Sequence, residues 1–509
     1  MLVIAALAEL VRYASAAEIV ADTVVYDSRL VVPGSLFVAY RGFHSDGHHF
    51  IERAIAAGAA AVVYEDPLLD GNIAVPHARV DNGRAALAPL AASCAGYPGR
   101  AMRVVGITGT DGKTTTTFLT SVALEAGGAV TGLMGTVDFK IAGRTWANDT
   151  RQSTPEAPEV QQLLREMVDA GCTHAVIEAT SHALAAEWDR LGGSAFDIAL
   201  LTNVTHEHLD FHGTVEQYRA AKMRLFALLG ETEAPAIKRR KLAIVNADDP
   251  YHPQFLAAAP PSAERLTYAV GTPADIRAAD VRASRDGLAY KVTTPWGARD
   301  VKLQLTGDFN VHNSLAALSV ALAEGVDLDA ALDALGRVAG VRGRMERVAC
   351  GQPFTLLVDY AHTPGSFEKL FRIVRPLTRG RLIAVFGSAG ERDREKRPIQ
   401  GQIAAQYCDL LVLTDEDPRL EDRRAIIAAI AEGAERAGKR AGSGYLAIPD
   451  RMDAIRAACG AARAGDIVLL LGKGHEACII QGDERVPWDE PAAARTALAE
   501  LGYGEAWAA

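Results

Sequence analysis

The 509-residue chain lacks several features that would assign it to a special class of protein. It has six cysteines, and no two of them have CxxC spacing, which argues against a disulfide framework or a zinc site. We therefore expect free thiols in a reducing compartment, that is, a cytoplasmic protein. No apolar run is long enough to cross a bilayer. The N-terminal MLVIAALAELVRY is short, lacks a basic start and carries Glu9, so it predicts a core element rather than a signal peptide.

An excess of basic charge is also missing. The chain has 53 Lys and Arg against 63 Asp and Glu, whereas a protein that binds nucleic acid usually has a basic face. We expect no nucleic-acid partner, although a locally basic pocket for an anionic substrate is compatible with this composition. Hydrophobic residues make up 49% of the chain, enough for several cores. The length predicts about two to four domains.

Apolar runs and helical patterns alternate along the chain in three blocks, which predicts an α/β fold with three domains. The proposed division is a smaller N-terminal α/β domain at 1–98, a central domain at 99–340 and a C-terminal Rossmann-like domain at 341–509. AGYPGRA at 95–101 supplies the Pro and Gly of the first boundary. A mostly parallel, P-loop-like central sheet is predicted from the runs at 102–108, 174–178, 197–204 and 242–246. The segment 317–338 predicts two helices.

The C-terminal block repeats this alternation and ends each apolar run in a turn rich in Gly or Asp. Open α/β sheets bind their ligands at such turns, beyond the carboxyl ends of the strands. The runs are TLLVDY, RLIAVFG, LLVLTDEDP and DIVLLLGKG.

GITGTDGKTTTT at 106–117 joins a predicted strand to a predicted helix through a glycine turn. In such turns the glycines let backbone N–H groups approach a phosphate, and the helix N-terminus adds positive potential. Lys113 is placed to meet the terminal phosphates, and the hydroxyl of Thr114 is placed to bind Mg²⁺. The spacing is not a strict Walker A motif, because Ile107 stands where the first glycine would fall. The bland interpretation is a glycine turn with an incidental lysine; the flanking strand and helix favour phosphate binding.

Acids and histidines follow two further strands. Glu178 ends the strand HAVIE, where a carboxylate can reach a metal bound by the nucleotide, although solvated acids at strand ends are common. TNVTHEHLDFHG at 202–213 places three histidines and two acids in one loop, which alone would suggest Zn²⁺ as readily as Mg²⁺. Lys222 lies in an apolar helical stretch, and the bland interpretation is a snorkelling lysine.

These motifs, together with LTGDFNVHNSLAA, GRMERV, DYAHTP and GKGHE, occur in one order along nearly the whole chain and resemble the Mur ligase family. Within the family, the resemblance is greatest to the ligases that add the third residue of the peptidoglycan stem peptide. It implies an ATP-dependent amide ligase that joins a diamino acid to UDP-MurNAc-L-Ala-D-Glu through an acyl phosphate. It also implies an N-terminal domain for the UDP substrate, a central domain for ATP and a C-terminal domain for the incoming amino acid. We expect a monomer.

The resemblance assigns roles to residues of the central and C-terminal domains. The metal ligands would be Thr114, Glu178, His208 and Lys222, with Lys222 carbamylated so that it binds a second Mg²⁺. Lys113 would act on the phosphates, and together with Lys222, Glu178 and His208 it would form the catalytic set. The implied ATP contacts are Gly109, Thr110, Gly112, Lys113, Thr114, Thr115, Asn310, Asn313, Arg344 and Asp359. Without the family, Asn310 would be read as a helix cap and Arg344 as a surface charge.

Further residues are implied for the two other substrates. DSRLVVPGSLFVAYRG at 27–42 resembles the family's UDP-binding front end. The UDP-sugar-dipeptide candidates are Asp27, Ser28, Arg29, Ser153, Thr154, Ser181 and Arg190. The incoming amino acid would meet Arg392, Asp417, Arg419, Gly472 and Glu476.

The choice of diamino acid stays open. Relatives that add diaminopimelate carry Asp-Asn-Pro-Arg where this chain has EDPR at 416–419. Arg419 favours a distal carboxylate, because a guanidinium pairs with one bidentately. Asp417 replaces the asparagine and adds a negative charge, which would suit a distal ammonium. Gly472 and Glu476 match the diaminopimelate pattern. Meso-diaminopimelate, L-lysine and L-ornithine are all retained.

Two other functions are compatible with parts of the pattern. One is another ATP-dependent amino-acid ligase of the superfamily, such as a folylpolyglutamate synthase; the DSR and DGHHF segments of the N-terminal block argue against it. The other is a nucleotide-binding subunit that has lost ligase activity. The retention of Lys113, Glu178, His208 and Lys222 argues against that alternative. His206 and Glu207 stand where many relatives have Arg and Asp, but the implied ligand His208 is kept.

Overall fold

The computed structural model describes residues 3–7, 10–42, 45–150, 152–205, 209–230, 240–284 and 287–504. The chain forms two compact units. The first comprises Met1–Ala278, Val292–Arg299 and Val311–Leu335, and the second comprises Ala279–Lys291, Asp300–Asn310 and Gly336–Ala509. The α/β class expected from the sequence is confirmed. The division into three domains at 98 and 340 stays a prediction.

The N-terminal part of the first unit is a five-stranded sheet with the order β1-β5-β4-β3-β2. Its strands are β1 (Val11–Ala14), β2 (Thr23–Val25), β3 (Ser35–Val38), β4 (Ala61–Tyr64) and β5 (His77–Val80). Its helices are α1 (Val3–Leu7), α2 (Ile51–Ala56) and α3 (Gly83–Cys94). Strands β2 to β5 are parallel, and β1 runs antiparallel to β5. Most of the apolar segments LFVAY at 36–40 and AAVVYE at 60–65 lies on β3 and β4.

The central sheet has eleven strands in the order β16-β15-β14-β13-β12-β11-β6-β10-β7-β8-β9. Its first six strands are β6 (Arg103–Thr108), β7 (Thr131–Met134), β8 (Asp138–Ile141), β9 (Arg144–Ala147), β10 (His174–Glu178) and β11 (Ile198–Leu201). The remaining five are β12 (Leu242–Asn246), β13 (Glu264–Ala269), β14 (Ile276–Ser284), β15 (Gly287–Thr294) and β16 (Gly297–Leu303). The helices of this region are α4 (Lys113–Glu125), α5 (Ala157–Asp169), α6 (Ser181–Leu184), α7 (Leu209–His212), α8 (Val215–Ala227), α9 (His252–Ala258), α10 (Phe309–Ala323) and α11 (Leu328–Gly336).

The middle of this sheet is parallel, as the sequence predicts. Strand β6 pairs in parallel with β10 on one side and with β11 on the other. Five of its six residues are buried, which is typical of a strand covered on both faces. Because the carboxyl ends of parallel strands meet at one edge, the segments that follow β6, β10 and β11 share that edge. The pair of helices predicted at 317–338 is confirmed as α10 and α11, although α10 begins earlier.

The C-terminal sheet has six strands in the order β17-β18-β22-β19-β20-β21, and a separate hairpin is formed by β23 and β24. The strands are β17 (Glu346–Val348), β18 (Thr355–Asp359), β19 (Leu382–Phe386), β20 (Leu410–Leu413), β21 (Tyr445–Ala447), β22 (Ile467–Leu471), β23 (Cys478–Gln481) and β24 (Glu484–Pro487). The helices are α12 (Pro364–Leu377), α13 (Lys396–Tyr407), α14 (Arg423–Arg436), α15 (Arg451–Ala461) and α16 (Glu490–Glu500).

Both faces of the C-terminal sheet are covered by apolar side chains. In β19, Leu382, Ala384 and Phe386 join one core cluster, while Ile383 and Val385 join the cluster on the other face. The first cluster includes residues of α12, α13 and α14, and the second includes residues of α15 and α16. This burial explains why the strands are continuous apolar runs rather than alternating ones. The parallel strands β18, β22, β19 and β20 therefore present their carboxyl ends, and the turns predicted to bind ligands, at one edge.

Two predictions from composition can be compared with the structure. All six cysteines are free thiols. Within the described residues, no helix is both long and apolar enough to span a membrane.

Candidate functional site

The turn after β6 has the backbone conformation that its glycines predict. Gly112 adopts a φ of 81° and directly precedes α4, whose first residue is Lys113. A Cβ at Gly112 would collide with Asn313 Oδ1, and a Cβ at Gly109 would collide with Thr202 Oγ1. Glycine is therefore required at both positions, by the left-handed backbone at Gly112 and by the close approach at Gly109. The turn presents the N-terminus of a 13-residue helix, which suits an anionic group.

Two lysine ammonium groups converge on one backbone oxygen of this turn. Lys113 Nζ donates to the carbonyl oxygen of Gly109 at 3.0 Å and to that of Thr110 at 2.7 Å. Lys222 Nζ donates to the same Gly109 oxygen at 2.6 Å. Lys222 is 1% exposed, so its interpretation as a snorkelling residue is wrong. The ring of Tyr218 lies 4.4 Å from Lys222 Nζ, and its hydroxyl lies 3.0 Å from Thr110 Oγ1.

Glu178 faces the same turn from the end of β10. The Thr114 hydroxyl lies 3.2 and 3.1 Å from the two carboxylate oxygens of Glu178. The backbone N–H of Thr136 donates to Glu178 Oε2 at 3.0 Å, and its hydroxyl lies 2.9 Å from the same atom. Glu178 is 2% exposed. These oxygens have the hard-donor character that Mg²⁺ prefers. His208, the remaining implied ligand, lies outside the described residues, as do His206 and Glu207.

Thr110, Thr115 and Asn313 are the other implied nucleotide contacts near the turn, whereas Asn310 belongs to the second unit. Thr110 and Thr115 are buried there. Asn313 is buried in α10, and its Oδ1 accepts a hydrogen bond from Thr116 Oγ1 at 3.2 Å. Asn310 lies inside the first turn of α10, which begins at Phe309, so the interpretation of Asn310 as a helix cap is wrong. Its Nδ2 donates to the carbonyl oxygen of Thr306 at 2.7 Å.

Ser153 and Thr154 lie beside Glu178. Ser153 Oγ is 2.7 Å from Thr136 Oγ1, and Thr154 Oγ1 donates to the carbonyl oxygen of Glu178 at 2.6 Å. Ser181 begins α6, three residues after Glu178, and is buried. The structure therefore brings the substrate candidates 153, 154 and 181 to the edge of the sheet that carries the glycine turn.

Arg190 is held by protein groups in this structure. Its Nη2 is paired with Glu156 Oε1 at 2.6 Å, and its Nη1 donates to the carbonyl oxygen of Thr154 at 3.0 Å. It is 6% exposed, and burial lowers the pKa of the guanidinium from its usual value. Its guanidinium also lies 4.7 Å from the ring of Trp188. Arg190 therefore fixes the segment that carries Ser153 and Thr154.

The N-terminal candidates lie in a short 3₁₀ turn after β2. Ser28 is buried, whereas the Arg29 side chain is largely exposed and pairs with Asp27 at 2.6 Å. Residues of this part of the chain also contact the central region. Arg84 Cζ lies 5.0 Å from the ring of Tyr40 and 4.1 Å from the ring of Trp188.

The second unit has its own cluster of candidates at the end of β18. Asp359 accepts hydrogen bonds from the backbone N–H groups of Met345 and Ala361, each at 2.8 Å. Desolvation raises the pKa of Asp359 above its usual value. Arg344 lies with its guanidinium 4.9 Å from the ring of Tyr360. His475 contacts the same ring, and its burial, with Arg344 nearby, lowers the pKa of the imidazole to about 3.

Two loops of the second unit, 415–419 after β20 and 472–476 after β22, carry four of the five amino-acid candidates. Lys473 is fully buried and pairs with Asp417 Oδ1 at 2.8 Å and with Glu476 Oε2 at 2.6 Å. Gly472 lies against Glu416 with a φ of 97°. Arg419 has a left-handed backbone, and its Nε is buried without a hydrogen-bond partner. Arg392, in the loop after β19, is exposed.

Three residues that shape these sites were missed by sequence reasoning. Thr136 follows β7, and only its position after a strand next to β10 could have indicated its contact with Glu178. Lys473 lies inside the quoted GKGHE motif, and a lysine between two glycines at a strand end was a usable signal. Trp188 has no local pattern that marks it.

Comparison with protein-family models matches three successive parts of the chain. Residues 21–93 match the model described as "Mur ligase family, catalytic domain". Residues 107–321 match the Mur ligase middle domain, and residues 343–474 match the Mur ligase, glutamate ligase domain.

Individual relatives cover almost the full chain. A UDP-N-acetylmuramyl-tripeptide synthetase of Roseiflexus sp. (strain RS-1) is 72% identical over 483 residues, 94% of this chain and 95% of the relative. A UDP-N-acetylmuramoyl-L-alanyl-D-glutamate--2,6-diaminopimelate ligase of Geobacillus thermodenitrificans (strain NG80-2) is 42% identical, covering 93% of this chain and 94% of the relative. A solved structure of a 2,6-diaminopimelate ligase of the same description matches with a TM-score of 0.66 and 31% identity, covering 95% of this chain and 96% of that one.

We expect Lys113→Ala to weaken the binding of ATP by about tenfold or more, because a charge-assisted contact to phosphate is lost. Binding should be measured by isothermal titration calorimetry, with Lys302→Ala, an exposed lysine of β16, as the matched control. Equal ATP affinity in Lys113→Ala and Lys302→Ala would contradict the assignment of Lys113 to the phosphates.

Proposed function

Because this chain belongs to the Mur ligase family, we propose that it joins a free diamino acid to UDP-MurNAc-L-Ala-D-Glu at the expense of ATP. The product is the UDP-linked tripeptide of peptidoglycan precursor synthesis, and the enzyme contributes to cell-wall biogenesis, cell shape and cell division. We further propose that it acts in the cytoplasm, where ATP is available. The observation that carries this proposal is the convergence of Lys113 and Lys222 on the Gly109 carbonyl, next to a helix start at which Thr114 contacts Glu178.

In the proposed first step, an oxygen of the D-Glu γ-carboxylate attacks the γ-phosphorus of ATP, and ADP leaves. Both reactants are anionic, so the protein must neutralise charge and align the groups. Lys113 exchanges its carbonyl partners for phosphate oxygens, and the N-terminus of α4 stabilises the same phosphates. Ser153 and Thr154, fixed beside Glu178, position the peptide end of the UDP substrate.

In the second step, the neutral amino group of the diamino acid attacks the carbonyl carbon of the acyl phosphate. The carbon–nitrogen bond forms, inorganic phosphate leaves with the former carboxylate oxygen, and the amine loses a proton. Arg392 binds the carboxylate of the incoming amino acid. Arg344 and Asp359 contact the nucleotide, and Asn310 and Asn313 contact its adenine side.

Mg²⁺ fits the oxygen donors of this site. Thr114, Glu178 and His208 would hold Mg²⁺, and a carbamylated Lys222 would hold a second Mg²⁺; the ions would supply positive charge that offsets the repulsion between the anionic reactants. The position of Lys222 supports this assignment because the residue is buried and its Nζ contacts the glycine turn. As a carbamate it would carry two oxygen atoms on a carbon bonded to Nζ, beyond the present position of the nitrogen.

The proposed reaction is tested by mass spectrometry on the purified protein. ATP, Mg²⁺ and UDP-MurNAc-L-Ala-D-Glu are mixed with meso-diaminopimelate, L-lysine or L-ornithine in separate reactions. We expect one tripeptide, with ADP and phosphate in equal amounts. With ¹⁸O in the γ-carboxylate, one ¹⁸O should appear in the released phosphate. ATP hydrolysis without an amide product would indicate a nucleotide-binding subunit, and glutamate addition to a folate would indicate a folylpolyglutamate synthase.

We expect Lys222→Ala to abolish turnover while leaving the fold intact, because the carbamate that binds Mg²⁺ cannot form. A second readout is the ¹³C NMR signal of a carbamate after incubation with ¹³C-bicarbonate, which should be present in the wild type and in the control Lys302→Ala and absent in Lys222→Ala. Turnover in Lys222→Ala at the wild-type rate would refute the metal-ligand assignment.

The environment of Asp417 bears on which residues select the diamino acid. Its carboxylate is buried, pairs with Lys473 and also accepts a hydrogen bond from the backbone N–H of Ile480 at 2.9 Å. The negative charge that distinguishes Asp417 from asparagine is therefore already paired with a buried lysine, which Asp417 shares with Glu476. Arg419 and Glu416 remain as the charged groups of this loop that can select the distal group, since the Glu416 Oε2 and the Arg419 Nε are buried without hydrogen-bond partners.

We expect Asp417→Asn to retain the wild-type order of preference among meso-diaminopimelate, L-lysine and L-ornithine. The asparagine oxygen can still accept hydrogen bonds from Lys473 and Ile480, and Lys473 keeps its pair with Glu476. The ratios of kcat/KM for the three amino acids measure this preference. A switch of the preferred amino acid in Asp417→Asn would show that the charge at 417 makes the choice.

A further inference from the structure

Arg451 is a fully buried cation that neither the sequence motifs nor the family resemblance singles out. It is 2% exposed and is the first residue of α15. A cation at a helix N-terminus is disfavoured by the helix dipole, and a buried one also loses its hydration. Its position therefore requires strong specific partners.

The partners of Arg451 come from three separate segments. Its Nε and Nη2 donate to the carboxylate of Glu490, at 2.8 and 2.6 Å, and Glu490 is also fully buried. Trp488 Nε1 donates to Glu490 Oε2 at 2.5 Å. The two remaining bonds run to backbone carbonyl oxygens: Nη1 donates to Asp415 and Nη2 to Leu471, each at 2.8 Å.

The Asp415 carbonyl belongs to the first residue of the 415–419 loop, and the Leu471 carbonyl lies immediately before the 472–476 loop; these loops carry candidates for the incoming amino acid. Asp415 precedes Glu416, Asp417 and Arg419 in the loop after β20, and Leu471 is the last residue of β22, directly before Gly472. The strands β20 and β22 are not neighbours, because β19 lies between them. Their ends are therefore not linked by a direct strand ladder, and one guanidinium spans both.

A second buried cation, Lys473, joins side chains of the same two loops. Lys473 pairs with Asp417 of the first loop and with Glu476 of its own. The backbone N–H of Arg419 also donates to the carbonyl oxygen of Ile480 at 3.0 Å. Lys473 thus joins the two loops through their side chains, and Arg451 joins them through backbone carbonyl groups where the loops begin.

We propose that Arg451, held by Glu490 and Trp488, is a positioning residue that sets the separation of the 415–419 and 472–476 loops and thereby the fit of the incoming diamino acid. This inference rests on the proposed function of those loops. A guanidinium suits this role because its planar array of donors reaches a carboxylate and two carbonyl groups at once. A lysine ammonium at the same place cannot reproduce that geometry.

A general effect on stability must be separated from positioning, and the chain offers a comparison at the opposite edge of the sheet, an arginine whose side chain is 36% exposed. Arg381 precedes β19 and pairs with the buried Asp466, which precedes β22, at 2.8 Å. Arg381 also donates to the carbonyl oxygen of Ala461 at 2.5 Å. It therefore joins strand starts, as Arg451 joins strand ends, but no candidate substrate residue lies beside it.

The test compares Arg451→Lys, Glu490→Gln and Arg381→Met with the wild type in the tripeptide assay. We expect Arg451→Lys and Glu490→Gln to raise KM for the diamino acid by about tenfold or more, since small displacements of binding groups cost rate and affinity. KM for ATP and for UDP-MurNAc-L-Ala-D-Glu should change by less than about twofold. Arg381→Met should lower Tm and leave all three KM values near those of the wild type.

Guanidinium supplies a readout that loss of stability would not mimic. In Arg451→Ala, low concentrations of guanidinium chloride should restore a low KM for the diamino acid, whereas sodium chloride should not. Equal changes in all three KM values, or an Arg381→Met variant with the same KM profile as Arg451→Lys, would overturn the inference. A wild type that forms no tripeptide would instead overturn the proposed function, before any variant is compared.

Discussion

The first site depends on a single backbone oxygen, the carbonyl of Gly109, which receives hydrogen bonds from both Lys113 and Lys222. Two like charges approach each other there because the carbonyl dipole lies between them. The arrangement fixes the glycine turn and ties α8 to it through Lys222, while Thr114, the residue after Lys113, contacts the carboxylate of Glu178. A phosphate that binds here replaces existing hydrogen bonds rather than entering an unstructured loop. The net gain in binding free energy is therefore the difference between hydrogen bonds to a charged phosphate oxygen and hydrogen bonds to a neutral carbonyl oxygen.

The second site is organised in the same way but at the ends of other parallel strands. The strands of the C-terminal sheet are buried on both faces, so their side chains are committed to packing and only the segments beyond their carboxyl ends are free to vary. Asp359 and the 415–419 and 472–476 loops all lie there. Glu490 is paired one to one with Arg451, whereas Asp417 and Glu476 share the single cation Lys473, so this trio carries one net negative charge. Glu416 Oε2 and Arg419 Nε, in the 415–419 loop, are among the buried atoms that have no hydrogen-bond partner in the described part of the chain.

The sequence predicts the strands and turns well because their apolar runs are long and their glycines are obligatory. MRVVGIT, HAVIE and LAIVN lie on β6, β10 and β12, and Gly112 has the positive φ that the turn demands. The sequence predicts the surroundings of individual side chains less well, because their burial depends on tertiary packing. Lys222 is enclosed rather than snorkelling, Asn310 lies within its helix, and the charge of Asp417 is matched by a lysine 56 residues further along. Arg451 could not be identified by periodicity, and only its unfavourable place at a helix start distinguishes it.

The burial of the Arg451–Glu490 pair also restricts how this protein can change over generations. Replacing either partner alone leaves a charge in an apolar interior without compensation, which costs about 3–5 kcal/mol in comparable pairs. A lineage therefore cannot pass through either single substitution without losing much of a typical domain's stability. Substitutions that change the pocket are therefore expected in the side chains of the 415–419 and 472–476 loops. These can be replaced one at a time while the Arg451–Glu490 pair keeps the loop backbones in place.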